Sequence, residues 1–311
     1  MRTPVLIMDV LYEPTLAELE STYACHRYWS AADQRQLLKR MAADCRIVVT
    51  SGARGISGAE MAQLPKLELV ACFGVGTDAI DLAHSRAHRI AVTNTPDVLT
   101  EDVADLALSL MLAAIRRIPQ ADQYVRQGHW LKAGMALTQS MQGRKIGIVG
   151  LGRIGQAIAK RCVAFNTAVA YFGPRKKSDQ AYRHFDSIVA LAQWADVLVA
   201  ACPGGPATRK IISREVLEAL GAEGLFVNIS RGSVVDQEAL VEMLISGALG
   251  AAGLDVFNDE PRVPPSLFAL DNVVLQPHQG SATTSTRAAM GKLVTGNVAN
   301  FLLGKALLTP V

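Results

Sequence analysis

The feature that most narrows the folds open to this chain is a glycine-spaced turn near its middle. Gly150-Leu151-Gly152-Arg153-Ile154-Gly155 follows the apolar run 146–149 and opens a helical pattern that continues to Phe165. In that setting each glycine has its own physical role. The first permits a tight turn, the second lets backbone approach a pyrophosphate, and the third lets the helix pack on the strand. The helix start adds unpaired N–H groups and the positive end of its dipole, which favour an anion. The pattern predicts a parallel α/β sheet with a dinucleotide at its edge. The competing reading is a glycine-rich turn with no ligand.

Strand–helix alternation extends to both sides of the turn. Before it, short apolar runs at 5–8, 47–50, 69–72 and 90–93 alternate with helical stretches such as 31–43. From the turn onward the runs are 146–149, 169–172, 197–200, 225–228, 251–255 and 273–275. This rhythm predicts two Rossmann-like, doubly wound parallel sheets, and 311 residues suit two such domains. A helical pattern at 101–118, capped by Thr100 and stopped by Pro119, is expected to bridge them. A last helix at 283–303 is expected to return to the first domain, which would make that domain discontinuous.

Composition removes several classes of function. Half of the residues are hydrophobic and 19% are charged, yet no apolar run approaches the roughly 18 to 20 residues that a membrane span requires. The apolar stretch after Arg2 is broken at Asp9, too early for a secretory signal. The formal net charge of +3 comes from interspersed lysines and arginines, which argues for solvated surface rather than a nucleic-acid partner. Cys25, Cys45, Cys72, Cys162 and Cys202 are scattered and form no C-x-x-C pair, so reduced thiols in a cytoplasmic protein without a metal are expected. Cys202, near a loop, is either a reactive thiol or, the commoner case, a small buried hydrophobe.

The strand after the glycine turn ends Ala170-Tyr171-Phe172-Gly173-Pro174-Arg175-Lys176-Lys177. A site selective for NAD(H) ends this strand in an acid that grips the ribose 2′-hydroxyl, and no acid is present. Arg175 and Lys176 could instead pair with a 2′-phosphate, with Arg153 as a third contact. NADP(H) is therefore the expected cofactor and NAD(H) the weaker alternative; the bland reading is a solvated basic turn.

Three polar residues fall at strand ends or the loops after them: Arg231 in Asn228-Ile229-Ser230-Arg231-Gly232, Glu260 in Asn258-Asp259-Glu260-Pro261, and His278 in Gln276-Pro277-His278-Gln279. Singly each is more often structural, but together they suit one reaction. Reduction of a 2-keto acid needs a fixed cation for the carboxylate and the polarised carbonyl, which the Arg231 guanidinium provides. It also needs a proton for the new alkoxide, for which a histidine beside a carboxylate is suited: Glu260 orients and His278 donates.

The order GLGRIG, NISRGSVVD, GLDVFNDEP and QPHQGSAT, spread over essentially the whole chain, resembles the D-isomer-specific 2-hydroxyacid dehydrogenase family, and within it the NADPH-preferring glyoxylate/hydroxypyruvate reductases and their hydroxyphenylpyruvate reductase relatives. The resemblance implies a nucleotide domain at 97–285 inserted into a substrate domain formed by 1–96 and 286–311, and a homodimer. It implies that Arg231 binds and polarises substrate, that His278 is the acid/base and that Glu260 pairs with it. The backbone N–H groups of Val75 and Gly76 would hold the substrate carboxylate. Thr208 and Ile229 would lie against the cofactor, Asp255 near the nicotinamide carboxamide and Gly280 in the cofactor loop. Tyr12, the 51–54 loop and Trp130 are candidates for the pocket, Trp130 from a partner subunit or merely as a packing anchor. A nicotinamide-sensing corepressor of the same fold is the rival reading.

Overall fold

Every pairing between strands in the computed structural model, which describes residues 2–311, is parallel. The chain is α/β and divides into two units, one built from the residues up to Leu99 together with Ala282–Val311 and the other from Thr100–Ser281. Among the described residues the first unit carries a five-stranded sheet of β1 (Pro4–Ile7), β2 (Ala24–Arg27), β3 (Ile47–Ser51), β4 (Leu69–Phe73) and β5 (Ala91–Thr93), in the order β2-β1-β3-β4-β5. The second carries β6 (Lys145–Val149), β7 (Ala168–Phe172), β8 (Arg183–Phe185), β9 (Val197–Ala200), β10 (Leu225–Asn228), β11 (Ala251–Leu254) and β12 (Val273–Leu275), ordered β12-β11-β10-β9-β6-β7-β8.

The strands are apolar because both faces of each sheet are covered, as parallel sheets require. All five residues of β4 and all four of β9 and β10 are buried. Leu6, Val48, Val70 and Leu38 anchor the core of the first unit, and Leu198, Phe226, Leu217 and Leu240 that of the second. Burying one such side chain is worth about 1.5–3 kcal/mol. Two edge strands have no counterpart among the apolar runs of the sequence. β2 and β8 consist of Ala-Cys-His-Arg and Arg-His-Phe and are only partly buried, so neither carries the apolar run that marks a central strand.

Helix boundaries show where local chemistry decides. The expected single helix at 101–118 is two. The helix Thr100–Ile115 includes Thr100 as its first residue, Arg117 then turns left-handed at φ 50°, and a new helix, Ile118–Arg126, starts with Pro119 in its first turn. Proline lacks an N–H that the first turn would leave unpaired anyway, so here it opens a helix rather than closing one. The helix expected at 31–43 is shorter, Gln34–Met41, because Asp33 caps it by accepting the Gln36 N–H at 2.9 Å. Thr283 caps the last helix, Thr284–Leu302.

Each sheet has a point where the strand order reverses, between β1 and β3 in the first and between β6 and β9 in the second. Open α/β sheets bind ligands outside the carboxyl ends of the strands at such points. None of the helices among the described residues is long and apolar enough to cross a membrane.

Candidate active site

At the second reversal the glycine turn leaves β6. Gly150 adopts φ 98°, and a Cβ there would lie 2.7 Å from the Cys202 backbone N. A Cβ on Gly155 would lie 2.1 Å from the Gly150 carbonyl oxygen, so the helix Arg153–Ala164 seats against the turn only because that carbon is missing. Gly152 differs: it is the N-cap of this helix, no side chain caps the helix there, and a Cβ on it would meet nothing within 4 Å. The first-turn N–H groups thus face an open cradle that suits a phosphate.

The neighbouring loops frame this cradle. After β7, Gly173 is partly buried while Pro174, Arg175 and Lys176 are exposed; the Lys177 N–H donates to the Tyr171 hydroxyl at 2.7 Å and holds the turn to the sheet. Arg153 and Ile154 form the exposed and half-buried start of the helix. Thr208 donates its hydroxyl to the Pro203 carbonyl at 2.7 Å in the loop after β9, and Ile229 is buried just after β10. Cys202 is buried, and burial pushes its thiol up, so it behaves as a packed hydrophobe.

The polar triad is assembled by the loops after β10, β11 and β12. Asp255, buried immediately after β11, accepts the Gln279 N–H at 2.6 Å and the Gly280 N–H at 2.9 Å, and its carbonyl takes the His278 N–H at 2.9 Å. These bonds fold the 278–280 loop with His278 left-handed at φ 54°. Burial pushes the Asp255 carboxyl up even against the two amide bonds and the charge of His278. Glu260 is held by the Phe257 N–H on Oε1 at 3.0 Å, and its Oε2 meets His278 Nδ1 at 2.7 Å. Burial alone would raise the Glu260 carboxyl, but the His278 and Phe257 hydrogen bonds and the charges of His278 and Arg231 outweigh it and leave Glu260 below its ordinary value. Arg231 Nη1 donates to the Ser230 carbonyl at 2.9 Å.

A model of the D-isomer specific 2-hydroxyacid dehydrogenase NAD binding domain matches residues 108–280, more than half of the chain. The chain belongs to the D-isomer specific 2-hydroxyacid dehydrogenase family. It is 48% identical over 307 residues to glyoxylate/hydroxypyruvate reductase A of Arabidopsis thaliana, covering 99% of this chain and 98% of that one. The hydroxyphenylpyruvate reductase of Plectranthus scutellarioides is equally similar, at 48% with the same coverage. Among solved structures, the NADPH-dependent glyoxylate/hydroxypyruvate reductase of Sinorhizobium meliloti, in complex with NADP and malonate, superposes with a TM-score of 0.94 at 39% identity, covering 100% of this chain and 97% of that one. The corepressor reading finds no support among these relatives.

In this dehydrogenase the remaining sequence candidates are dispersed. Val75, Gly76 and Tyr12 belong to the first unit. Val75 and Gly76 follow β4; the Val75 carbonyl accepts from Asn94 Nδ2 at 2.9 Å and the Gly74 carbonyl from the Thr95 N–H at 2.9 Å. Among the described residues no backbone carbonyl accepts from the N–H of Val75 or Gly76. Tyr12 is the N-cap residue of the helix Glu13–Thr22. In the 51–54 loop Ser51 Oγ bonds the Asp9 carboxylate and the Arg54 guanidinium pairs with Glu60, so both side chains are already engaged. Trp130 lies in the second unit and is 69% exposed.

One positioning residue is absent from the candidates that the sequence suggests. Asn228, fully buried, accepts the Ser230 N–H at 3.0 Å and donates to the Arg231 carbonyl at 3.0 Å, which staples the loop that carries Arg231. An asparagine ending an apolar strand is a recognisable signal for such a local side-chain bond.

Proposed function

We propose that this dehydrogenase reduces a short 2-keto acid to the D-2-hydroxy acid with NADPH, NADH being the poorer donor. The observation that carries this reading is the His278 Nδ1–Glu260 Oε2 contact at 2.7 Å in a loop that Asp255 holds closed. With Nδ1 engaged, Nε2 is the ring nitrogen left to deliver a proton to the carbonyl oxygen, and an ionised Glu260 favours the imidazolium that delivers it. Arg231 neutralises the substrate carboxylate and polarises the carbonyl, and the Val75 and Gly76 N–H groups bind the same carboxylate. In the oxidative direction neutral His278 takes the hydroxyl proton.

The fit to a dinucleotide rests on the open space at Gly152 and the uncapped helix start. Gly150, Gly152, Arg153, Ile154 and Gly155 would cradle the pyrophosphate, and Gly173 and Pro174 would shape the ribose edge. Arg175 and Lys176 would meet the 2′-phosphate, and Thr208, Ile229, Asp255 and Gly280 would line the nicotinamide side. When bound, the nicotinamide supplies the hydride. The S. meliloti reductase, solved with NADP, supports this choice of cofactor.

We further assign a homodimer formed through the Thr100–Ser281 unit, because Ile118, Val125, Trp130, Leu131 and Leu137 are all exposed there and such residues favour a partner over water. The free cysteines support a cytoplasmic location. The deciding experiment is NADPH oxidation, with NADH alongside, across glyoxylate, hydroxypyruvate, pyruvate and phenylpyruvate. Turnover with NADPH and a short keto acid is the expected result; tight NADPH binding without turnover of any of them would overturn the reading.

A further inference from the structure

The first unit contains two half-buried arginines in opposite circumstances. Arg54 is satisfied: its guanidinium pairs with Glu60 and lies 5.3 Å from the Tyr28 ring. Hydrogen bonding to Glu60 holds it above its ordinary value against burial. Arg287 lies 5.5 Å from the centre of the Phe73 ring, but among the described residues its side chain has no hydrogen bond and no ion pair. Burial, with no counter-charge to offset it, pushes this guanidinium down.

The position of Arg287 compounds the cost. It stands in the opening turn of the helix Thr284–Leu302, at the positive end of the dipole, where a cation is disfavoured. Stacking on Phe73 uses one face of the guanidinium and leaves its five in-plane N–H donors unspent. Among the described residues no protein acceptor meets these half-buried donors, and a donor that gains a charged partner is more stable than one left to the little water that reaches it. Phe73 is the last residue of β4, so the unspent donors sit at the carboxyl edge of the sheet, next to the Gly74-Val75-Gly76 loop, in which, among the described residues, no backbone carbonyl accepts from the N–H groups of Val75 and Gly76. Three features that each disfavour a cation thus coincide where a ligand is expected, and an acceptor supplied by that ligand would relieve them.

We propose that Arg287 is a specificity-determining residue that recognises an oxygen acceptor on C3 of the keto acid, a hydroxyl or a carboxylate. The assignment rests on the 2-keto acid reading above and makes it narrower. Relatives equally similar to this chain are named for hydroxypyruvate and for hydroxyphenylpyruvate, and Arg287 selects the class with the small polar C3 substituent over the aryl class.

The test compares kcat/KM for hydroxypyruvate and oxaloacetate with that for pyruvate, in the wild-type enzyme and in Arg287→Met and Arg287→Lys. The expected result is a hydroxypyruvate-to-pyruvate ratio that falls roughly 10–100-fold in Arg287→Met, the scale of a charged hydrogen bond, and less in Arg287→Lys, with NADPH affinity unmoved. Whichever of hydroxypyruvate and oxaloacetate loses more identifies the acceptor. A uniform loss on all three substrates, or an unchanged ratio, would overturn the assignment. Calorimetric titration of the NADPH-loaded wild-type enzyme with malonate and with propionate needs no variant to fold: malonate should bind at least about tenfold tighter, and equal affinity would overturn the assignment. Wild-type enzyme that prefers malonate yet reduces no keto acid would keep Arg287 as an acceptor site and remove the reductase reading.

Discussion

The two sheets meet their points of order reversal with opposite chemistry. In the second unit β6 leads through three residues to a helix whose N-cap is a bare glycine, with no acid in the first turn. In the first unit β1 leads to the helix Glu13–Thr22, whose first turn carries Glu13 and Pro14, and Asp9 lies in the connection with its carboxylate bonded to Ser51 Oγ. The topology around β1 and β6 is the same, a strand, a helix and a parallel neighbour on each side. One helix start can attract a phosphate, whereas the other already carries negative charge. A doubly wound sheet therefore offers a place for a ligand, and the charge carried by the connection from strand to helix together with the helix's first turn bears on whether an anion fills it.

If the chemistry belongs to the second unit, His278→Gln should give the largest effect, a kcat lower by about 10²–10⁴-fold with NADPH affinity retained in a fluorescence titration. Turnover within tenfold of wild type would move the proton donor elsewhere. Gly152→Val comes next. No protein atom beyond its chain neighbours lies within 4 Å of a Cβ at this position, so the side chain enters the cradle and the NADPH Kd should rise about 100-fold, roughly 2.7 kcal/mol, with little change in Tm. Gly155→Val is the contrasting variant, because its Cβ would collide with the Gly150 carbonyl and Tm itself should fall. Equal Tm losses in the two variants would erase the distinction between ligand space and packing space.

Arg175→Ala asks whether the basic turn after β7 reads the 2′-phosphate. The NADPH-to-NADH ratio of kcat/KM should drop about 10–100-fold, as expected for loss of a charged hydrogen bond; a drop common to both cofactors would make the turn a general anchor. Glu260→Gln tests the proton relay. Burial opposes ionisation of Glu260, but its hydrogen bonds and the nearby positive charges prevail, so it is anionic at neutral pH and favours the protonated ring. Removing that charge should lower kcat for keto-acid reduction while NADPH affinity stays the same, and an unchanged kcat would separate Glu260 from proton delivery.

Legibility in the sequence follows burial. Central strands such as β4 and β9 are apolar throughout and are readable as runs, whereas β2 and β8 sit at sheet edges, where His26 or Arg183 costs nothing. The motif glycines are readable because they stand between an apolar run and a helical pattern, and Glu260 and His278 because each lies in the loop after a readable strand, where the two side chains meet. Arg287 is not, since its significance lies in what is missing around it: an arginine in a helical pattern looks the same whether or not a carboxylate from a distant stretch of chain comes to meet it. Pro119 misleads for a related reason, as proline ends one helix or begins the next, and the left-handed Arg117 before it decides which.

The smallest expected effect sharpens the comparison of the two helix starts most directly. Glu13→Gln removes negative charge from the first turn of the helix after β1, where an acid is worth about 0.3–1 kcal/mol, so the first unit should lose that much stability in urea titrations. NADPH affinity should not change, because Asp9 still holds the reversal point of that sheet against a phosphate. A second NADPH equivalent bound by Glu13→Gln would show instead that Glu13 alone kept the first sheet from binding a nucleotide, and that the two units differ by one side chain rather than by the whole connection between strand and helix.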